Sequence, residues 1–313
     1  MLSTADIWPD LSYSAFRETA ATLQLWTQIV GKVRLELTPW LNHSWQVPFY
    51  VTARGIGTSP IPFENEIFEV EFDFIAHELV VRTSRGEQRT LRLEPQTVAE
   101  FHRRFFALLN NLGIVVRIDE MPNELANPIP FSEDKIHAAY DAAAAHTYWR
   151  ALVQVDRTFK LFRSGFLGKA SPVHLFWGAF DLAVTRFSGR RAPPHPGGMP
   201  GLPDAVAREA YSHEVSSAGF WPGNDDFPQA AFYSYAYPEP AGYRDTSVTD
   251  GAYFDPKLGE FILPYDKVSG AADPDAALLD FLIRTYDAAA NAGKWDRAAL
   301  ECPLGIPARV RPI

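Results

Sequence analysis

The densest group of polar side chains in this sequence lies within one apolar and aromatic segment, SPVHLFWGAFDLAVTRFSGRR. The group consists of His174, Asp181, Arg186 and Arg190. Polar side chains in such surroundings are either hydrogen-bonded core residues or parts of a functional site. The structural interpretation, a buried Asp-Arg ion pair beside a hydrogen-bonded histidine, is favoured because ion pairs produce the same clusters. The functional interpretation makes His174 and Asp181 catalytic and both arginines ligand-binding.

A turn at residues 178–179 would decide whether two of these side chains meet. In a hairpin with that turn, Phe176 faces Asp181, and His174 lies one register step away, close enough to share a ligand. Without the turn, His174 and Asp181 point to opposite faces of the chain. Most nearby aromatic residues are expected in the core, but Trp177 and Trp221 could line an apolar small-molecule pocket.

A second polar group, Tyr211-Ser212-His213-Glu214, follows a short helix predicted at residues 203–211. The simpler explanation of His213 is that a histidine is favourable at a helix C-terminus. The functional explanation makes His213 and Glu214 metal ligands or an acid-base pair. The signal is weaker than a zinc protease motif, because Ser217 stands where that motif has its second histidine.

The most specific hypothesis joins the two groups. In it, His174, His213 and Glu214 hold a divalent transition metal, since two imidazoles and a carboxylate suit zinc, iron or manganese. The alternative is that these residues never meet, so that His174 hydrogen-bonds inside the core and His213 ends its helix. The single cysteine, Cys302, excludes a zinc site built from several thiolates.

One further histidine is a candidate ligand-binding residue. His195 lies in PPHPGG, a rigid turn that would aim its side chain beside open backbone amides. The adjacent glycine pair lacks the spacing and the lysine of a phosphate-binding loop. A nucleotide cofactor is therefore not supported.

Composition limits the classes of partner. The formal charge of -9 disfavours nucleic acid, because binding to the phosphate backbone depends on clustered Lys and Arg. The N-terminal residues lack a basic segment followed by an apolar one, and nowhere do about 18 apolar residues run together. We expect a cytoplasmic protein with no membrane partner; the sequence does not predict its oligomeric state.

The first half, residues 1–131, is predicted to form an α-β-β-β-β-α unit. Apolar residues at helical spacing predict its first helix: Leu23, Trp26, Val30, Val33 and Leu37. Alternation of apolar and acidic residues over 68–74 predicts a half-buried strand within an antiparallel meander. A helix at residues 98–108 and a short strand at 114–118 follow.

The second half, residues 132–313, begins a similar order of elements, so the predicted fold class is α+β with two related units. Phe72-Asp73 and the strand that begins at Glu78 recur 182 positions later as Phe254-Asp255 and Glu260. Generic similarity between amphipathic elements remains an equal alternative. Relative to the first half, the second carries an insertion of about 58 residues at 188–252, rich in Pro and Gly. Its aromatic residues predict an ordered cover over one face.

Three segments of the sequence resemble a known bacterial family: LWTQIVGKVRLELTPWLNHSWQVPFYVTARG, SPVHLFWGAFDLAVTRFSGRRAPPHPGG and AYSHEVSSAGFWPG. The family is catalogued only as a domain of unknown function, and the resemblance spans nearly the whole chain. It implies no activity, cofactor or catalytic residue.

Two functional hypotheses follow. The leading one is a small-molecule enzyme, with metal dependence as an option, whose pocket lies between the second sheet and the insertion. The alternative is a non-catalytic ligand-binding or self-associating structural protein. Elemental analysis of purified protein would separate a stoichiometric metal enzyme from the alternative.

Overall fold

The computed structural model describes residues 7–311. Its longest helix, α1 (Tyr13–Leu37), is the one predicted from apolar spacing. Ser12 caps the helix by accepting a hydrogen bond from the Ala15 amide. Trp26 and Val30 are fully buried, so α1 is a core helix of the first half.

The first sheet is antiparallel and has the strand order β1-β2-β4-β5-β6, with β3 paired to β4. The predicted alternation places Phe68, Val70 and Phe72 in the core. Residues 114–118 form no strand, which corrects the prediction for that segment. The elements are β1 (Tyr50–Val51), β2 (Gly55–Gly57), β3 (Ile61–Phe63), β4 (Glu66–Asp73), β5 (Glu78–Thr83), β6 (Gln88–Arg92) and helix α2 (Val98–Asn111).

The second sheet is also antiparallel and has the order β11-β12-β10-β9-β8-β7. A backbone bridge between Phe49 and Leu175, with two hydrogen bonds of 2.8 Å, joins the two sheets. The strands are β7 (His174–Phe176), β8 (Asp181–Arg191), β9 (His213–Trp221), β10 (Ala231–Tyr237), β11 (Tyr253–Asp255) and β12 (Glu260–Pro264). The helices are α3 (Ala142–Ser164), α4 (Asp204–Ala210), α5 (Tyr265–Ser269), α6 (Pro274–Ala292) and α7 (Arg297–Leu300).

The fold is thus α+β, with two six-stranded sheets that are consistent with two similar units. The hairpins 182 residues apart share one register, because Asp73 pairs with Glu78 and Asp255 with Glu260. Their positions in the sheets differ, however, since β4 lies between β2 and β5 whereas β11 is an edge strand. Phe72 and Phe254, which correspond at the offset of 182 residues, therefore do not occupy equivalent positions in their sheets. Common origin of the halves stays a prediction.

The predicted insertion is ordered and contains the short helix α4. It is not mainly a cover over the sheet, because β9 and β10 within it are central strands. The segment around α4, residues 199–211, lies over one face of the sheet. The high Pro and Gly content of the segment led the sequence analysis to overlook these two strands, although they pair with each other.

The two faces of the second sheet differ in chemistry. Across four strands, Leu182, Phe220, Phe232 and Leu263 form one row on the face that packs against α3 and α6, and each is at most 1% exposed. The next row belongs to the other face, because neighbouring residues of a strand alternate between faces. That second face carries polar residues, and it forms the floor of a cavity. Among residues 7–311, no helix is long and apolar enough to cross a membrane.

Candidate functional site

A cavity of about 660 Å³ lies on this polar face of the second sheet. The sheet supplies its floor, and α1, residues 40–47, residues 119–124 and the segment around α4 supply its walls. Its polar floor residues are His174, Asp181, Thr185, Ser217, Tyr233, Tyr235 and Glu260. We call it the carboxyl cavity, because the side chains of Glu124, Asp181 and Glu260 converge on it.

The β7–β8 hairpin brings His174 and Asp181 into the cavity together. Its turn covers residues 177–180, and Phe176 pairs with Asp181 while His174 pairs with Ala183, as the hairpin prediction required. Trp177 in the turn packs its indole against Gly31 of α1, where a Cβ would overlap the ring. Its Nε1 donates a hydrogen bond of 3.1 Å to the carbonyl of Val47.

Asp181 is buried, as predicted, but its partner is not an arginine. The hydroxyl of Tyr233 donates a hydrogen bond to its carboxylate. Tyr233 reaches across from β10 because Gly219, on the strand between them, has no side chain and the ring occupies that space. Arg186 could not be the partner because it lies on the other face of β8.

Burial gives the three carboxyl groups unusual acidities. Removal from water raises the pKa of Asp181 to about 6, and the Tyr233 hydrogen bond opposes this only in part. Burial, with the charge of Asp181 as the next cause, raises the pKa of Glu124 to about 7 and that of Glu260 to about 8. The side chain of Glu124 packs against Gly178 in the β7–β8 turn. These groups therefore change protonation near neutral pH.

His174 lines the cavity and carries a hydrogen-bond acceptor. Its Nδ1 lies 3.0 Å from the carbonyl oxygen of Ala183, which can only accept, so Nδ1 carries the proton. Burial lowers the pKa of His174 to about 4, so the ring is neutral at pH 7. Its Nε2 is fully buried and has no hydrogen-bond partner in the described structure. A ligand donor would satisfy this nitrogen.

A family model described as a family of unknown function, DUF5996, matches residues 8–302. The chain belongs to this family. A search of curated proteins and a search of solved structures found no significant match to the chain.

In this member of DUF5996, three other predicted site residues lie on the helix-packed face and do not reach the cavity. The guanidinium of Arg186 stacks on Phe162 of α3, at 3.6 Å, and donates to its carbonyl. Arg190 pairs with Glu214 at 2.6 Å, and Ser188 also donates to that carboxylate. These three residues hold the sheet against its helices, which corrects their predicted roles in ligand binding and catalysis.

The predicted metal site of His174, His213 and Glu214 does not form. His174 pairs with Ala183, which in turn pairs with Gly219 of β9. Gly219 lies six residues from His213, so at roughly 3.3 Å per residue the two histidines are about 20 Å apart along the sheet. Glu214 follows His213 directly, so it faces the opposite side of the sheet. Residues 7–311 contain no group of three or more His, Cys, Asp or Glu side chains that could hold a metal ion.

The remaining predicted residues divide between the cavity and its surroundings. Trp177 and Trp221 line the cavity. His195 lies behind the wall, where its ring stacks on Tyr211 with 4.7 Å between centroids. The hydroxyl of Tyr211 lies 2.8 Å from that of Tyr235, so His195 supports the wall indirectly. His213 lies beyond the cavity and contacts the Ser212 hydroxyl at 3.1 Å.

Sequence reasoning missed Glu124, Glu260, Tyr233 and Tyr235 as site residues. The alternation of tyrosines in AFYSYAY was an available signal, because it places them on one face of a strand. Glu260 begins its strand and resembles an ordinary exposed strand end. Glu124 lies in an irregular segment, and nothing local indicates what it faces.

We expect the raised carboxyl pKa values to make the protein less stable at alkaline pH. The pKa of each of the three carboxyl groups in the folded protein lies above its ordinary value of 3.8 or 4.5. The folded protein therefore retains protons that the unfolded chain loses, and its stability falls as pH rises toward 8. Between about pH 7 and 9, above the ordinary histidine range, the free energy of unfolding should fall by about 1 to 2 kcal/mol, allowing for partial solvation.

Urea denaturation at fixed ionic strength measures this slope. Glu260→Gln should flatten it, whereas Glu69→Gln, which removes an exposed carboxylate of the first sheet, should not. A wild-type stability that is constant or rises from pH 7 to 9 would contradict the prediction.

Proposed function

We propose that this protein is an enzyme that transfers protons to and from a small molecule bound in the carboxyl cavity. The observation that carries the proposal is the convergence of Asp181, Glu124 and Glu260 in one buried space, each with its pKa raised toward neutrality. Perturbed carboxyl groups in a cleft are typical of catalytic sites, because proton transfer is most efficient when the pKa lies near the working pH.

The proposed roles follow from the order of the pKa values. Asp181 has the lowest, about 6, and the Tyr233 hydroxyl stabilises its ionised form, so at neutral pH it acts as the base. Glu260 has the highest, about 8, so at neutral pH it holds a proton and acts as the acid. Two carboxyl groups whose surroundings separate their pKa values are the usual arrangement for such a division of roles. The pKa of Glu124, about 7, lies between those of the other two.

The walls support a substrate with an apolar part. Trp45, Phe176, Trp177 and Trp221 line the cavity beside the polar floor. A mostly apolar pocket with a few convergent polar groups is the common description of a small-molecule site. The volume of about 660 Å³ lies within the range of such sites.

Deuterium incorporation tests the proposal without knowledge of the substrate. The purified protein is incubated with a bacterial metabolite extract in D₂O, and mass spectrometry identifies compounds that are consumed or gain a deuteron. We expect at least one such compound with wild-type protein and with Glu69→Gln, and none with Asp181→Asn. Identical profiles for wild type and Asp181→Asn would leave the cavity without this activity and favour a non-catalytic role.

A further inference from the structure

Two hydrogen-bond acceptors of the carboxyl cavity have fewer donors than they can accept. Neutral His174 offers the lone pair of Nε2, which has no partner although the side chain is only 1% exposed. The ionised carboxylate of Asp181 accepts one hydrogen bond, from Tyr233, and keeps further acceptor capacity. An unsatisfied acceptor in a buried site costs free energy, so a ligand that donates several hydrogen bonds is favoured there.

The charges around the cavity have one predominant sign. Within the described chain, five carboxyl side chains line it: Glu36, Asp119, Glu124, Asp181 and Glu260. The lysine in the lining, Lys32, already donates to the carbonyl of Met121 at 2.5 Å and lies 3.5 Å from Asp119. A low-dielectric cavity with this lining attracts a cation and repels an anion.

The walls also suit a cation. Trp45, Trp177, Trp221 and Tyr233 line the same cavity as the acceptors. Aromatic faces attract ammonium groups, most strongly where water is excluded. This argument is independent of the hydrogen-bonding argument, and both select the same chemistry.

We propose that the ligand of the carboxyl cavity is an organic amine in its ammonium form, with the nitrogen directed at His174 and Asp181 and the apolar part against the indole rings. This assignment rests on the proposed function, since it names the substrate class of the same site. An ammonium supplies up to three donors and a positive charge, which meets the needs of the acceptors and of the carboxylates together.

Matched ligands test the assignment by isothermal titration calorimetry with the full chain. The first set of probes is phenethylamine, 2-phenylethanol and phenylacetate. The second set, with a longer chain, is 4-phenylbutylamine, 4-phenylbutanol and 4-phenylbutyrate. At pH 7.5 we expect each amine to bind at least tenfold more tightly than its alcohol, and the acids to bind most weakly. If no amine binds more tightly than its alcohol, the assignment is wrong.

Amine binding should also release protons, because an ammonium favours the ionised form of Glu124, whose pKa of about 7 leaves it partly protonated at this pH. The heat of binding at pH 7.5 should therefore differ between phosphate and Tris buffers for the amines and not for the alcohols. The titratable groups that face the ligand from the surrounding elements are Lys32, Glu36, His43, Asp119, Glu124, His174, Asp181, Tyr211, Tyr233, Tyr235 and Glu260. Equal amine heats in the two buffers would contradict carboxylate recognition.

Variants locate the interaction. Glu124→Gln should weaken amine binding about tenfold and leave the alcohols unchanged, and the exposed control Glu69→Gln should change neither. If alcohols or acids bind best and Asp181→Asn still abolishes deuterium incorporation, the amine assignment fails and the proposed function stands. If the amines bind as expected but deuterium incorporation is absent, the cavity is an amine-binding site without the proposed chemistry.

Discussion

Asp181→Asn is expected to reduce turnover by about 10²- to 10⁴-fold, the usual contribution of a general base. The variant keeps the shape of the carboxylate and can still accept the Tyr233 hydrogen bond through its amide oxygen. What it loses is the ability to take a proton. The rate of deuterium incorporation, or of turnover once the substrate is identified, measures the effect.

Stability separates this role from a structural one. If Asp181 formed an ion pair with an arginine, Asp181→Asn would destabilise the protein. Its partner is instead the Tyr233 hydroxyl, and ionisation of the buried carboxyl group costs free energy. The difference between about 6 and the ordinary 3.8 corresponds to about 3 kcal/mol, so at pH 8 the variant should be at least as stable as wild type. A variant that turns over normally, or that is inactive only because it is unfolded, would contradict the assignment.

Gly219→Leu is expected to lower the free energy of unfolding by about 3 kcal/mol or more. A Cβ at residue 219 would overlap the ring of Tyr233, which lies across this position. Overpacking of a buried site costs roughly 1–3 kcal/mol, and displacement of Tyr233 also removes the donor to buried Asp181, which costs a similar amount. For a protein of this size the melting temperature should fall by about 6 °C or more.

A double-mutant cycle identifies the cause. Tyr233→Ala removes the ring and leaves space, so Gly219→Leu should cost much less in that background than in wild type. Tyr253→Ala, which removes an exposed tyrosine of β11, is the matched control and should not reduce the cost. Equal costs of Gly219→Leu in all three backgrounds would show that the overlap with Tyr233 is not the reason.

Local patterns determined the elements that position the site. Apolar residues at helical spacing predicted α1, and alternation predicted β4, because each pattern reports which side of one element is buried. The sequence also showed that, if residues 178–179 formed a turn, Phe176 would pair with Asp181 and His174 would share its face, and the structure contains that hairpin. These conclusions needed only residues that are neighbours in sequence.

Only the tertiary structure determined which side chains contact Asp181 and line the cavity with it. Tyr233 lies 52 residues from Asp181 and reaches it only because β9, with Gly219, lies between their strands. Glu124 comes from outside the sheet, and Arg186 is excluded by the alternation of faces along β8. The order of strands in a sheet, and the segment that covers its face, depend on contacts between distant parts of the chain. No local pattern encodes those contacts, so the acidic cavity became apparent only when the sheet was assembled.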